Sequence, residues 1–298
     1  MPSSAPLVRA PSFRSQAYPG GAARSRPYAA AVPELLEVET YRRHAAAVVG
    51  STIAGADAPD EWFVKGSAPT EVVAAVTGLR VVAARRRGKL LVLDLAEASG
   101  AVGGPEVRLG LRFGMTGRLV VDGAASIDRL EYSSGRDEPR WDRFTLHFTD
   151  GRDLRLRDPR RLGGVILEPD EGRLGVDALA VTREELAAAL GTSTTPLKVR
   201  LMDQSRLAGI GNLLADEILW RAGLDPTRPA GGLDDPEVDS LHQAIIEVLA
   251  DLMSRGGSHT GDLRQAAALD GLCPRDGTPL VKRRVGGRTT VSCPRHQG

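Results

Sequence analysis

Residues 203–226 read DQSRLAGIGNLLADEILWRAGLDP. Gly209 and Gly211 flank one apolar residue between two stretches of helical spacing; Asn212 opens the second stretch and Gly223 closes it. A helix starting at Asn212 presents free backbone N–H groups and the positive end of its dipole, so a phosphate fits at the turn. The same glycines also suit a tight packing corner that only needs close approach. Either way, two helices meet at a tight turn.

More helices surround this pair. Thr182 and Glu185 form a capping box before LAAAL, a helix is expected from Pro196 to Gln204, and a long one from Pro236 to Arg255 ends at Gly256-Gly257. We therefore read 178–262 as a helical domain, followed by a short, basic, turn-rich ribbon over 268–298. Upstream, the period changes to two across residues 51–168, with Asp150-Gly151 as a hairpin turn. One helix from Glu34 to Val49 precedes this sandwich, with Pro33 in its first turn, so 33–168 forms the N-terminal domain. The fold class is α+β: an N-terminal helix and antiparallel β-sandwich, then helices and a C-terminal β-hairpin. No internal repeat is visible.

Residues 1–31 contain four arginines and no acids among many Pro, Ser, Ala and Gly, a composition that builds no core. We expect 1–32 to be a disordered or mis-assigned extension. No apolar run reaches the roughly 20 residues of a membrane span, and the expected location is cytoplasmic. Net charge is only +1, but basic residues cluster in AARRRGKLL, LRLRDPRRLGG and LVKRRVGGRTTVSCPRHQ. One such cluster is ordinarily a solvated face; three beside Gly-rich turns suggest a nucleic-acid partner.

The turn at 203–226 resembles the helix-two-turn-helix motif of the formamidopyrimidine-DNA glycosylase and endonuclease VIII family. PELLEVETYRR (33–43) resembles the opening of that family, RRRGKLL (85–91) its lysine-bearing turn, FGMTGRL (113–119) its wedge hairpin, and DPRRLGG (158–164) its arginine loop. All five occur in the family's order. The resemblance implies a base-excision-repair glycosylase with class I lyase activity on oxidised bases. Its partner would be double-stranded DNA carrying oxidised bases or abasic sites, bound by a monomer.

In the family the nucleophile is an N-terminal proline, whose amine attacks the sugar C1′, expels the base and leaves an imine. Here the matching Pro33 follows Val32. An interior Val32-Pro33 nitrogen is a planar amide without a hydrogen, unable to do this. Three explanations stay open: Val32 is the true initiator and is removed, the leader is cleaved, or the leader is retained. The last leaves a catalytically silent damaged-DNA-binding protein of the same fold.

By the same resemblance, Glu34 is a general acid for the opening sugar ring, with a helix-terminal carboxylate as the plain alternative, and Lys89 holds phosphate near the lesion. Glu37 takes a structural part. Met115, Arg160 and Leu162 fill the gap left by an extruded base, Leu162 standing where the formamidopyrimidine branch usually has Phe. Lys198 and Asn212 contact phosphates, and Arg288 grips the backbone. The segment after Gly256-Gly257-Ser258 is shorter than the family's base-covering loop. The family's four cysteines, C-x2-C-x16-C-x2-C, are here Cys273, Asp276, Cys293 and His296. All four are acceptable zinc ligands, so a structural zinc and a metal-free ribbon with two core cysteines both remain open.

Overall fold

The computed structural model describes residues 32–97, 107–127, 130, 136 and 138–298. The extension expected over 1–32 lies outside the described residues save for Val32. In chain order the elements are α1 (Leu35–Ala45), β1 (Ile53–Asp57), β2 (Val64–Lys65), α2 (Pro69–Val76), β3 (Leu79–Arg87), β4 (Leu90–Glu97), β5 (Val107–Arg112), β6 (Arg118–Val121), β7 (Ala124–Ala125), β8 (Asp142–Phe148), β9 (Asp153–Arg157) and β10 (Gly164–Leu167). These build two five-stranded sheets, ordered β1-β8-β9-β6-β7 and β2-β10-β5-β4-β3. The β8–β9 hairpin turns at Asp150-Gly151, where Gly151 has φ +84°. Two features depart from the expected all-antiparallel reading. Helix α2 interrupts the strands, since Pro69 supplies a first helical turn in a stretch too short to show a period. Strand β2 pairs with β10 in parallel.

Beyond Pro169 follow β11 (Val176–Asp177), α3 (Arg183–Leu190), α4 (Leu197–Leu201), β12 (Leu207–Ala208), α5 (Asn212–Ala222), α6 (Asp235–Ser254), α7 (Asp262–Leu269) and the hairpin β13 (Val281–Val285) with β14 (Arg288–Ser292). Thr182 Oγ1 accepts from the Glu185 N–H as the capping box requires, and Gly223 ends α5 in the left-handed region. Helix α7 occupies the segment after Ser258, where the Glu217 carboxylate accepts its first N–H groups from Asp262 and Leu263. Its eight residues of Ala-rich sequence carried no cap signal of their own, because the cap comes from α5.

Helix α1 belongs to both halves. Val38, Tyr41 and Ala45 join the sandwich core, while Leu35 and Leu36 join the core of α3, α4, α5 and α6. All five side chains are fully buried. The residues just before α1 therefore lie at the junction of the two cores.

Candidate active site

The turn that opens α5 holds the first surprise. Its free N–H groups do not face an open anion site: the Glu34 carboxylate accepts from Gly211, Leu213 and Leu214 at 3.0, 2.9 and 3.1 Å. A Cβ on Gly211 would meet the Glu34 Cδ at 2.2 Å, and one on Gly209 would meet Leu35 Cδ1 at 2.2 Å. The two glycines thus admit α1, and a phosphate expected at this helix end is replaced by a side chain of the same charge. Glu34 is 3% exposed yet lines a cavity of about 430 Å³ with Val32, Met115, Asn212, Asp216 and Arg288. The Asn212 Oδ1 is buried there with no hydrogen-bond partner among the described residues, an amide waiting on a ligand group.

A second cavity of about 500 Å³ is lined by Pro33, Lys65, Lys89, Arg112 and Leu162. Lys89 is part-buried, and burial pushes its ammonium down against the pull of Glu34 and Glu37. Glu34, Met115, Asn212 and Arg288 thus line one cavity and Pro33, Lys89 and Leu162 the other.

The turn carrying Lys89 is set by the other half of the molecule. Arg86 donates to Asp177 at 2.6 and 2.9 Å, the Gly88 N–H donates to the same carboxylate at 2.6 Å, and a Cβ on Gly88 would strike Ala208 Cβ at 2.7 Å. Arg85 pairs with Asp94 and Glu171, and Arg87 reaches the carbonyls of Leu174 and Gly175. The RRR cluster, read from sequence as a nucleic-acid face, is instead a clasp between the halves. Glu171 and Asp177 lie 86 and 91 residues along the chain from Arg85 and Arg86, which is why sequence proximity gave no hint of them.

Asp158 organises the apolar plug. Fully buried, it accepts from Thr116 Oγ1, from the Arg160 N–H at 3.1 Å and from the Gly163 N–H at 2.8 Å. It thereby joins the Met115 turn to the Arg160–Leu162 loop. Gly114 makes the approach feasible, since a Cβ there would meet the Leu162 carbonyl carbon at 2.5 Å. Met115 and Leu162 stand 37% and 43% exposed, and Arg160 is also exposed. The three residues expected to form a wedge are thus exposed on two turns held together by Asp158. Sequence reasoning missed Asp158, although a carboxylate opening a Pro-Arg-Arg turn is a recognisable loop-capping signal.

Lys198 departs from expectation. Its side chain is fully buried, with Nζ 2.7 Å from Asp216 Oδ1 and donating to Thr290 Oγ1 at 2.9 Å and the Thr289 carbonyl at 3.0 Å. The Val291 N–H reaches Asp216 Oδ2 at 3.2 Å. Rather than meeting a phosphate, Lys198 fixes β14 and so the exposed Arg288 at its start. Leaving Asp216 buried without its cation is costly, so Lys198→Ala is expected to lower unfolding free energy by about 3–5 kcal/mol, measured by denaturant titration; a change near zero would show a solvated pair.

Glu37 joins the halves at another point. It accepts from the Glu34 N–H at 2.9 Å and from the Ser258 N–H and Oγ at 2.7 and 2.8 Å. Burial, then the nearby Glu34 charge, raises its carboxyl to about 7. Because the folded value exceeds the unfolded one, the folded state binds more protons between pH 4.5 and about 7. Stability from this group is full below that window and falls as pH rises through it, by on the order of 3 kcal/mol. Glu37→Gln should flatten that slope in pH-dependent melting, and an unchanged slope would assign it elsewhere.

At the C-terminus, Cys273, Asp276, Cys293 and His296 bring their donor atoms within 4.8 Å of one another. Cys273 Sγ lies 3.5 Å from His296 Nδ1, Cys293 Sγ 3.5 Å from Asp276 Oδ2, and His296 Nδ1 3.8 Å from Asp276 Oδ2. Donors about 2.0–2.3 Å from a tetrahedral zinc sit roughly 3.3–3.8 Å apart, so this set fits. His296 Nε2 lies 3.0 Å from the Trp220 carbonyl, the outer bond that leaves Nδ1 free for a metal.

The sandwich with α1 matches the formamidopyrimidine-DNA glycosylase N-terminal domain over residues 32–165, and the helical half matches the H2TH domain of the same enzymes over 174–263. The formamidopyrimidine-DNA glycosylase of Paracoccus denitrificans is 36% identical over 293 residues, covering 88% of this chain and 99% of the relative. The chain belongs to the formamidopyrimidine-DNA glycosylase family. The Synechocystis glycosylase of that name is 31% identical, with 89% of this chain and 98% of the relative covered. Among solved structures, a complex of Lactococcus lactis Fpg with abasic-site DNA is 26% identical at a TM-score of 0.72, covering 89% of this chain and 99% of that one. A complex of MutM with DNA containing carbocyclic 8-oxo-G matches at a TM-score of 0.73, with the same identity and coverage. The α+β architecture read from sequence is that of this family. Among the described residues no helix is long and apolar enough to cross a membrane.

Proposed function

We propose that this chain is a base-excision-repair DNA glycosylase with class I lyase activity, removing oxidised bases from double-stranded DNA as a monomer. The observation carrying this reading is the convergence of Pro33, Glu34 and Lys89 with the Met115–Leu162 wedge at two cavities beside the junction. The wedge enters the duplex and the damaged nucleotide leaves the stack, since its C1′ is otherwise out of reach. With Pro33 as the first residue, its secondary amine attacks C1′, the C1′–N bond breaks, and the base departs with the bonding pair. Glu34 supplies a proton to the sugar ring oxygen as the ring opens. For this the attacking nitrogen first passes its proton to the Glu34 carboxylate, and its freed lone pair opens the ring to an iminium, through which the 3′ phosphate is eliminated. Lys89, Asn212 and Arg288 hold the flanking phosphates, and Arg160 faces the orphaned base.

The test is incision of duplexes bearing oxidised purines or pyrimidines, without added metal, by a chain beginning at Pro33, with borohydride capture of the imine. Absence of both nicking and capture rejects the reading. A second reading rests on Val32 reaching the Glu34 cavity: with the preceding residues retained, the same surface binds damaged DNA without chemistry.

Zinc completes the C-terminal hairpin in this proposal, held by Cys273, Asp276, Cys293 and His296. Elemental analysis is expected to find zinc equimolar with protein, and chelation to lower the melting temperature. Metal-free protein with an unchanged transition would assign the cysteines to packing alone.

A further inference from the structure

Trp62 is 67% exposed, unusual for the largest apolar side chain in a rigid setting. It sits on a short turn anchored from both sides: Phe63 is fully buried, and Asp60, 8% exposed, binds Arg161 at 2.5 Å. Arg161 lies between Arg160 and Leu162 in the wedge loop and holds φ +58°, a conformation that a non-glycine residue keeps only when its surroundings impose it. The Arg161–Asp60 ion pair thus ties the Trp62 turn to the wedge loop.

The ring also has a charged frame. Lys65 Nζ stands 4.8 Å from the ring centroid and donates to the Trp62 carbonyl. Lys65 lines both the cavity containing Pro33 and Leu162 and an open hollow of about 930 Å³ with Trp62, Arg140 and Arg161. Arg140 and Arg161 are exposed around this hollow; Arg140 shares its charge with Glu138, and Glu61 is the exposed acid beside the ring. An aromatic face among cations, continuous with a wedge, fits a base stacked on the ring with its phosphate beside lysine and arginine.

Resting on the DNA-repair reading above, we infer that Trp62 with Lys65 and Arg140 forms a stacking platform for an unpaired DNA base next to the wedge. Within intact duplex every base face is covered by its neighbours, so the platform engages only where pairing is disrupted. It therefore adds affinity for lesions in double-stranded DNA that are flanked by unpaired bases.

The test compares equilibrium binding of the full chain to a tetrahydrofuran abasic-site analogue, which it cannot cleave at C1′, in a perfect duplex and in a bubble of unpaired thymines. Wild type is expected to prefer the bubble by on the order of tenfold. Trp62→Ala should lose that margin while binding the duplex within about twofold of wild type, and Trp62→Phe should keep most of it. A wild type without the preference, or a Trp62→Ala variant that retains it, overturns the platform. Because the analogue reports binding alone, failed incision of oxidised bases would overturn the glycosylase reading and leave this comparison standing.

Discussion

A chain beginning at Pro33 is expected to form a borohydride-trapped adduct with abasic-site DNA, and the chain that keeps Val32 and the residues before it is expected to form none. The difference should be on the order of 10³-fold or more, the scale of losing a nucleophile. The cause is bond order rather than geometry. In the Val32-Pro33 amide the nitrogen lone pair is delocalised into the carbonyl and the ring leaves no hydrogen to lose, whereas hydrolysis of that one bond yields a secondary amine. The fold around Pro33 need not change: α1 starts at Leu35 and is fixed by its own buried side chains. Denaturing electrophoresis after borohydride treatment, with intact mass checked beforehand, decides the matter. Equal trapping by verified long protein would move the nucleophile to another amine.

Glu34→Gln should be the most damaging single substitution that leaves the chain's size unchanged. As a proposed general acid in ring opening, its loss is expected to slow incision by about 10²–10⁴-fold. It also removes an anion that three N–H groups of α5 address. A glutamine presents an NH2 to donors that need an acceptor, so stability should fall by about 1–3 kcal/mol. The two losses are separable. Single-turnover incision reports the first and denaturant unfolding the second; a variant that is less stable but incises at the wild-type rate would leave Glu34 as a helix cap and nothing more.

The dual position of Glu34 shows what was legible in the sequence and what was not. Period, caps and turn residues are local signals, so the helices closing at Gly223 and after Ser254 and the Asp150-Gly151 hairpin could be read directly. Residue order along five motifs pointed to the family, and that resemblance marked the four candidate metal ligands near the C-terminal hairpin. What escaped notice lies in pairings between distant residues. Glu34 with α5, Arg86 with Asp177, and Lys198 with Asp216 and β14 are 18 or more residues apart, and each charged group finds its partner only once distant segments pack together. A lysine at a motif position and a lysine fully buried beside an aspartate have the same letter. Burial decided between the expected phosphate contact and the anchor that Lys198 forms. The same reason explains α2 and α7, short segments whose helicity comes from what they pack against.

The sharing of α1 between two cores bears on how this protein assembles and fails. Separating the sandwich from the helical half would strip Leu35 and Leu36 of their neighbours, or else Val38, Tyr41 and Ala45 of theirs. Neither lobe is a complete folding unit, so melting should be cooperative across both, and a destabilising lesion in either is felt at Pro33. The cavities around Pro33, Glu34 and Lys89 therefore take shape only when both lobes are folded together.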